Sequence, residues 1–147
     1  MSKYLVILAG SPRGGKKTWE SLDKYILNPY NADLAICYGK KFSNSMTKYL
    51  EDKAKFKWIF DEPENWKDYY EDNFKGNWKK FFLNGVDLGL AGGIDNYSGS
   101  GAIVCGLKDY IKRNHIKEIY NYDHIIYTRF DQFYIDSPQK LENNMLN

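Results

Sequence analysis

The sequence predicts an α/β protein, a single domain with a mostly parallel central sheet and helices on both faces. Three observations carry this expectation. Apolar runs at residues 3–9, 33–38, 56–60 and 124–135 alternate with segments in which apolar residues recur at helical spacing. Those runs are nearly continuous in their hydrophobicity, as strands buried on both faces of a sheet are. Gly, Pro and charged residues punctuate the junctions between them. A chain of 147 residues, 43% hydrophobic and 17% aromatic, has the material for one core without cross-links.

Taken in order, residues 3–9 form the first strand, and Gly10-Ser11-Pro12-Arg13-Gly14-Gly15 a turn. Trp19, Leu22, Tyr25 and Ile26 lie at helical spacing within residues 18–27, and Asn28-Pro29 is expected to stop that helix. Residues 33–38 are the second strand, ended by Gly39. A short helix is expected over 45–53, then a third strand over 56–60 closed by Asp61-Glu62-Pro63. Residues 64–74 and 77–83 read as polar–aromatic helices. Residues 85–101 hold half of the chain's 12 glycines and read as a loop. Residues 102–115 form the last helix, and residues 124–135 a fourth, buried strand.

Charge and cysteine content narrow the class. A net charge of +2, with Lys dispersed among Asp and Glu, gives no electrostatic footprint for nucleic acid. Cys37 and Cys105 sit in apolar stretches and read as reduced core residues, without metal-ligand spacing. The apolar run at the start is too short for a signal peptide, and no stretch is long enough to span a bilayer. A soluble, cytoplasmic protein is the expectation.

The most informative segment is the last strand, Tyr122-Asp123-His124-Ile125-Ile126-Tyr127-Thr128-Arg129-Phe130-Asp131. It surfaces to present one cation, Arg129, and one carboxylate, Asp131. In open α/β sheets, ligands bind outside the carboxyl ends of the strands. An Asp held there can take a hard divalent cation and, through it, a diphosphate. The alternative is an Arg/Asp pair facing solvent.

Three turns follow strands or open a helix and are candidates for the same pocket. Gly10-Ser11-Pro12-Arg13-Gly14-Gly15-Lys16-Lys17-Thr18 approaches a phosphate-binding P-loop. Lys17 stands where that motif needs Ser or Thr, however, and Thr18 comes one residue late. The same Gly-Ser-Pro-Arg turn opens flavodoxin-like reductases, and residues 106–113 faintly resemble one of their later helices. An FMN-dependent oxidoreductase is therefore the rival reading. The acidic turn Asp61-Glu62-Pro63-Glu64 reads either as a cap for the following helix or as a ligand contact. Ser98-Gly99-Ser100-Gly101-Ala102 opens the helix before the last strand. There backbone at Ser100 and Gly101 can approach a ligand, or Ser100 can simply cap the helix.

Arg13-Gly14-Gly15 with Trp19 and Ser21-Leu22, Asn31-Ala32-Asp33-Leu34-Ala35, and the Tyr127-Thr128-Arg129-Phe130-Asp131 strand end together resemble a family. It is the nucleotide-sugar glycosyltransferases of large DNA viruses, in particular the chlorella-virus enzymes that build capsid glycans. The resemblance runs over residues 3–134. It implies a GT-A fold, a Rossmann-like α/β/α domain in which an Asp-x-Asp motif holds manganese (or magnesium) and the donor diphosphate.

By that resemblance Asp131 matches the second, metal-binding Asp, while Arg129 replaces the first and is placed to neutralise phosphate. Gly10, Ser11, Pro12 and Arg13 correspond to the base and ribose cradle, and Ser100 and Gly101 to the segment along the donor sugar. Asp61, Asp95 and Asp123 are candidates for a catalytic base, with Asp95 the best placed, in the glycine-rich loop. The implied partners are a UDP-sugar donor and a glycan or glycoprotein acceptor, in host-cell cytoplasm for a viral protein. A non-catalytic nucleotide-sugar-binding module is a further alternative. Such domains continue past the metal strand, so the chain reads as a fragment of a larger polypeptide.

Overall fold

The structure is a computed structural model and describes residues 1–79 and 100–138. The chain divides into two compact units, Met1–Phe60 with Lys117–Asn147, and Asp61–Ile116.

The first unit is built on a parallel sheet. Its strands are β1 (Tyr4–Ala9), β2 (Asp33–Gly39), β3 (Phe56–Phe60) and β4 (His124–Thr128), in the order β3-β2-β1-β4. All three strand pairings are parallel, with Val6 level with Leu34 on one side and Ile126 on the other. Every residue of β1 is buried, which is why its sequence, Tyr-Leu-Val-Ile-Leu-Ala, shows no polar alternation. On one face Val6, Leu8, Leu34, Ile36 and Tyr38 form a core with Trp19, Leu22, Ile26, Leu50 and Phe130. On the other, Leu5, Ile7, Ala35 and Cys37 are buried as completely. The α/β class with a parallel sheet is thus as the sequence indicates.

Helical backbone runs from α1 (Lys16–Leu22) through a π-helical turn (Asp23–Leu27) into α2 (Asn28–Tyr30). The expected stop at Asn28-Pro29 does not occur. In the π turn the Asn28 N–H reaches back five residues to the Asp23 carbonyl, and Pro29 then falls in the first turn of α2, where no N–H is required of it. Termination comes at Asn31, which adopts the left-handed conformation at φ 47°. The α3 helix (Lys48–Lys53) precedes β3, starting later than expected. Asn44 and Thr47 bond to each other's backbone and side chain ahead of it.

The fourth strand is shorter and less buried than the sequence suggests. It ends at Thr128, not at residue 135, and along it His124, Ile126 and Thr128 are half-buried while Ile125 and Tyr127 are exposed. The cause is Phe130, which turns into the core at 2% exposure and takes the chain off the sheet. Its ring meets Tyr38 edge-on at 5.8 Å, and its carbonyl accepts the indole N–H of Trp19 at 3.1 Å.

The second unit carries α4 (Trp66–Asn73) and most of α5 (Ser100–Ile119). The cap of α4 is Asn65, whose side chain accepts from the Lys67 N–H at 2.9 Å, rather than the acidic turn before it. Tyr70 donates to the Ala102 carbonyl at 2.6 Å and Tyr69 to Asp109 at 2.8 Å, and Arg113 closes on the same carboxylate at 2.6 Å. Burial, and after it Asp109, push the Tyr69 hydroxyl far above its usual range, so it remains a donor. Cys105, expected inside, is exposed on α5, while Cys37 is buried. Among the described residues no helix is long and apolar enough to cross a membrane.

Candidate functional site

In this sheet β1 leads to β2 on one side and has β4 on the other, so the strand order reverses between β1 and β4. Order 3-2-1-4 is that of doubly wound nucleotide-binding sheets, and the crevice beyond the carboxyl ends at the reversal is where such sheets bind ligands. The loops meeting there are residues 10–15 after β1 and residues 129–138 after β4. These are two of the segments singled out from sequence.

Their contact is close. A side chain on Gly14 would place its Cβ 3.0 Å from the Phe130 carbonyl oxygen and 3.1 Å from Thr18, and Gly14 sits at φ 111°. Only glycine accepts both the conformation and the approach. The Gly10 N–H is spent on the Cys37 carbonyl at 3.1 Å, and the Arg13 N–H on the Ser11 carbonyl at 2.8 Å, which fixes the turn. Ser11 and Pro12 are half-buried beneath it, and Arg13 is exposed.

The segment after β4 is irregular but tied down at three places along one helical rod. Phe130 is held by Trp19, the Tyr134 N–H donates to Ser21 Oγ at 3.0 Å, and Tyr30 Oη donates to the Pro138 carbonyl. Tyr134 Oη also bonds to Thr128 Oγ1 at 2.8 Å. Arg129 and Asp131 are thus presented by a loop that side-chain-to-backbone bonds hold in place. Trp19, Ser21 and Tyr30 were not among the site residues read from sequence. They look like ordinary helix residues, because their partners are more than 100 residues away.

Arg129 and Asp131 face one another. Arg129 Nε donates to Asp131 Oδ1 at 2.9 Å and its Nη2 to Oδ2 at 2.7 Å, a two-pronged pair on the surface. The Arg129 guanidinium holds the Asp131 carboxyl below its usual range, with the charge of Arg13 adding to the effect. Asp131 is therefore ionised at neutral pH, and its contribution is lost only as pH falls through its depressed pKa.

The segments after the strands' carboxyl ends carry several cations: Arg13 in the turn after β1, Lys16 and Lys17 in the first turn of α1, Lys40 and Lys41 after β2, and Arg129 after β4. Such charge suits an anionic ligand. Among the described residues no group of three or more His, Cys, Asp or Glu side chains could hold a metal ion. Both Asp131 oxygens already serve Arg129. A single carboxylate already engaged by Arg129 is not by itself a metal site.

Of the other expected site residues, Asp61, Ser100 and Gly101 belong to the second unit, with Ser100 and Gly101 in the first turn of α5. Asp95 lies outside the described residues. Asp123 is not at the crevice but at the amino end of β4, where its carboxylate accepts the Lys3 N–H at 2.7 Å.

Two clefts accompany the crevice. One, of about 380 Å³, opens at the amino end of the sheet around Asp33, Lys55 and Tyr122. Lys55 and Tyr122 both donate to Asp33 there, at 2.5 and 2.6 Å, so its polar groups satisfy one another. The other, a shallow groove of about 300 Å³, lies along α1 between Lys17, Glu20, Ser21, Lys24, Tyr25 and Phe133. Phe133 is 61% exposed there, on the same tethered segment as Asp131.

No protein-family model matches the chain, and no curated protein or solved structure matches it.

Proposed function

We propose that the protein binds a UDP-sugar in the crevice between β1 and β4 and transfers its hexose or deoxyhexose to a glycan or glycoprotein acceptor, as a GT-A-type glycosyltransferase. The observation that carries this reading is the approach of Gly14, in the turn over residues 10–15, to the Phe130 carbonyl of the Arg129–Asp131 loop at the strand-order reversal, among several cationic side chains. The resemblance of the same two segments to viral nucleotide-sugar transferases supplies the reaction class, and host-cell cytoplasm the setting.

In this reading the Gly10–Arg13 turn cradles base and ribose, and Arg13 neutralises phosphate. Arg129 exchanges Asp131 for the diphosphate, a swap that costs little because the pair is exposed and screened. Asp131, released, would be the residue to hold a manganese or magnesium ion arriving with the diphosphate. That ion, when bound, offsets the charge that builds on the departing UDP. The bond between the anomeric carbon and the diphosphate oxygen breaks with its electron pair going to UDP. The acceptor hydroxyl oxygen forms the new bond to the anomeric carbon and gives up its proton to a general base. Phe133 and Tyr25 offer the apolar face of a sugar acceptor a surface beside the crevice.

The rival FMN reading loses support from topology. Flavodoxin-like sheets place β1 between β2 and β3, whereas here β3 lies outside β2.

A thermal-shift panel of UDP, GDP, ADP and FMN, each with and without manganese, tests the proposal. UDP with manganese is expected to stabilise most, and stabilisation by FMN alone would overturn the reading. Asp131→Asn keeps size and removes charge, so the fold should persist while manganese-supported UDP binding weakens by about 2 kcal/mol. Unchanged affinity by calorimetry would take Asp131 out of the site. Arg13→Ala should raise the UDP dissociation constant about tenfold, against no change for a loop charge that meets only solvent. Manganese should bind weakly to the protein alone and more tightly with UDP present, since the two ligands strengthen each other reciprocally.

A further inference from the structure

We propose that the groove along α1 holds an acidic glycan, a sugar chain bearing a carboxylate, as the acceptor side of the site. The groove has a volume of about 300 Å³ and is lined by Lys17, Glu20, Ser21, Lys24, Tyr25 and Phe133. That size is at the lower end of small-molecule sites. All of these residues belong to the first unit. The glycan's role as acceptor rests on the transferase reading of the crevice, whereas its binding does not.

The groove is built across the chain. Phe133 comes from the segment after β4, and its neighbour Tyr134 donates its N–H to Ser21 Oγ at 3.0 Å. Ser21 is 5% exposed, and its hydroxyl donates to the Thr18 carbonyl at 2.6 Å, so the tether has a fixed anchor. Phe133 is thereby displayed beside α1 with 61% of its surface exposed. A ring presented on a tied backbone loses little conformational freedom when a ligand covers it. Its flat apolar face suits the C–H face of a pyranose.

The polar lining selects charge. Glu20, the one carboxylate of the groove, pairs with Lys16 at 3.6 Å. Lys24 Nζ stands 4.7 Å from the centre of the Tyr25 ring, which keeps one ammonium on the aromatic wall. Lys17 adds a second cation. A charge-assisted contact is thus offered to a uronic acid and withheld from a neutral hexose. From residue 17 to residue 25 the helical backbone rises about 12 Å, the scale of a disaccharide. The groove also continues into the crevice, since Phe133 lies on the same tethered segment as Asp131, and Lys17 in the first turn of the helix that the glycine turn opens.

Nuclear magnetic resonance titration of the wild type with cellobiose and with its uronic acid, which differ in one carboxylate, reads the groove directly. The acidic disaccharide is expected to bind in the millimolar range, and the neutral one at least about fivefold more weakly. Salt at about 1 M, where the Debye length is about 3 Å, should erase that difference. Phe133→Ala, at an exposed position, should weaken both by about tenfold or more with unchanged circular dichroism. Lys17→Gln combined with Lys24→Gln should lower the acidic disaccharide to the neutral level and leave the neutral one as it is. An acidic disaccharide that fails to bind, or equal affinity for the two, overturns the proposal. So does binding that survives Phe133→Ala, which would mean a bare cationic surface open to any anion. UDP with manganese, titrated into the same wild type, separates this inference from the one before it. Disaccharide binding without UDP binding retains the groove and removes the transferase, and UDP binding without disaccharide binding removes the groove alone.

Discussion

Replacing Trp19 by alanine is expected to destabilise the protein by about 3–5 kcal/mol, the largest effect of any single change in the first unit. Trp19 is 1% exposed in the middle of the core face of the sheet, among Val6, Leu8, Ile36 and Phe130. Its removal opens a cavity that the rigid strand backbones cannot close. Trp19→Phe separates packing from tethering. Most apolar volume remains, but the Phe130 carbonyl loses its donor, which should cost about 1–3 kcal/mol for a buried acceptor left alone. Because that carbonyl lies between Arg129 and Asp131, the phenylalanine variant should also weaken UDP binding at temperatures where it is fully folded. Urea unfolding measures the first effect and calorimetry the second. If Trp19→Ala shifts stability by under about 1 kcal/mol, the indole is not packed as described.

The second large effect is expected in the other unit. Gly106→Ala would place a Cβ 2.4 Å from Cε3 and Cζ3 of Trp66, well inside contact distance. Trp66 is 2% exposed and its ring edge meets Tyr69, so it has no free volume to swing into. Alanine normally gains up to about 1 kcal/mol over glycine in a helix interior. Here overpacking should outweigh that gain and leave a net loss of about 2–3 kcal/mol. The discriminating measurement is a double-mutant cycle with Trp66→Phe, whose smaller ring relieves the clash. The pair should be more stable than the sum of the single changes implies, by about 1 kcal/mol or more. Additive losses would mean that α5 and Trp66 do not approach as closely as they do here.

The α/β class, the four strands and the approximate position of each helix among the described residues were legible in the chain itself. Short continuous apolar runs such as Leu5-Val6-Ile7-Leu8, closed by turn residues, fit strands buried on two faces. The turn at Gly10–Arg13 was legible as well, from glycine and proline just after an apolar run, and of the two readings of Arg129 and Asp131 the structure shows the surface pair. Sequence could not show that these two segments adjoin, since β1 and β4 are over 100 residues apart and strand order has no local signature. Nor could it show that Trp19 and Ser21 hold the loop. Those bonds run from helix side chains to the backbone of a distant segment, and backbone bears no residue-specific mark.

The misread boundaries have the same origin. Residues 124–135 look like one strand because hydrophobicity alone does not say whether an aromatic residue extends a sheet or leaves it. Phe130 leaves it, because the space between Tyr38 and Trp19 is a better place for its ring than a pleated edge. Asn28-Pro29 looks like a helix stop, yet the widened turn before it removes the need for the proline's missing N–H. Local chemistry thus determined which segments are strand, helix and turn. Packing among distant segments decided where each one ends and which charges share a crevice, because burial and backbone pairing are settled only once the sheet has assembled.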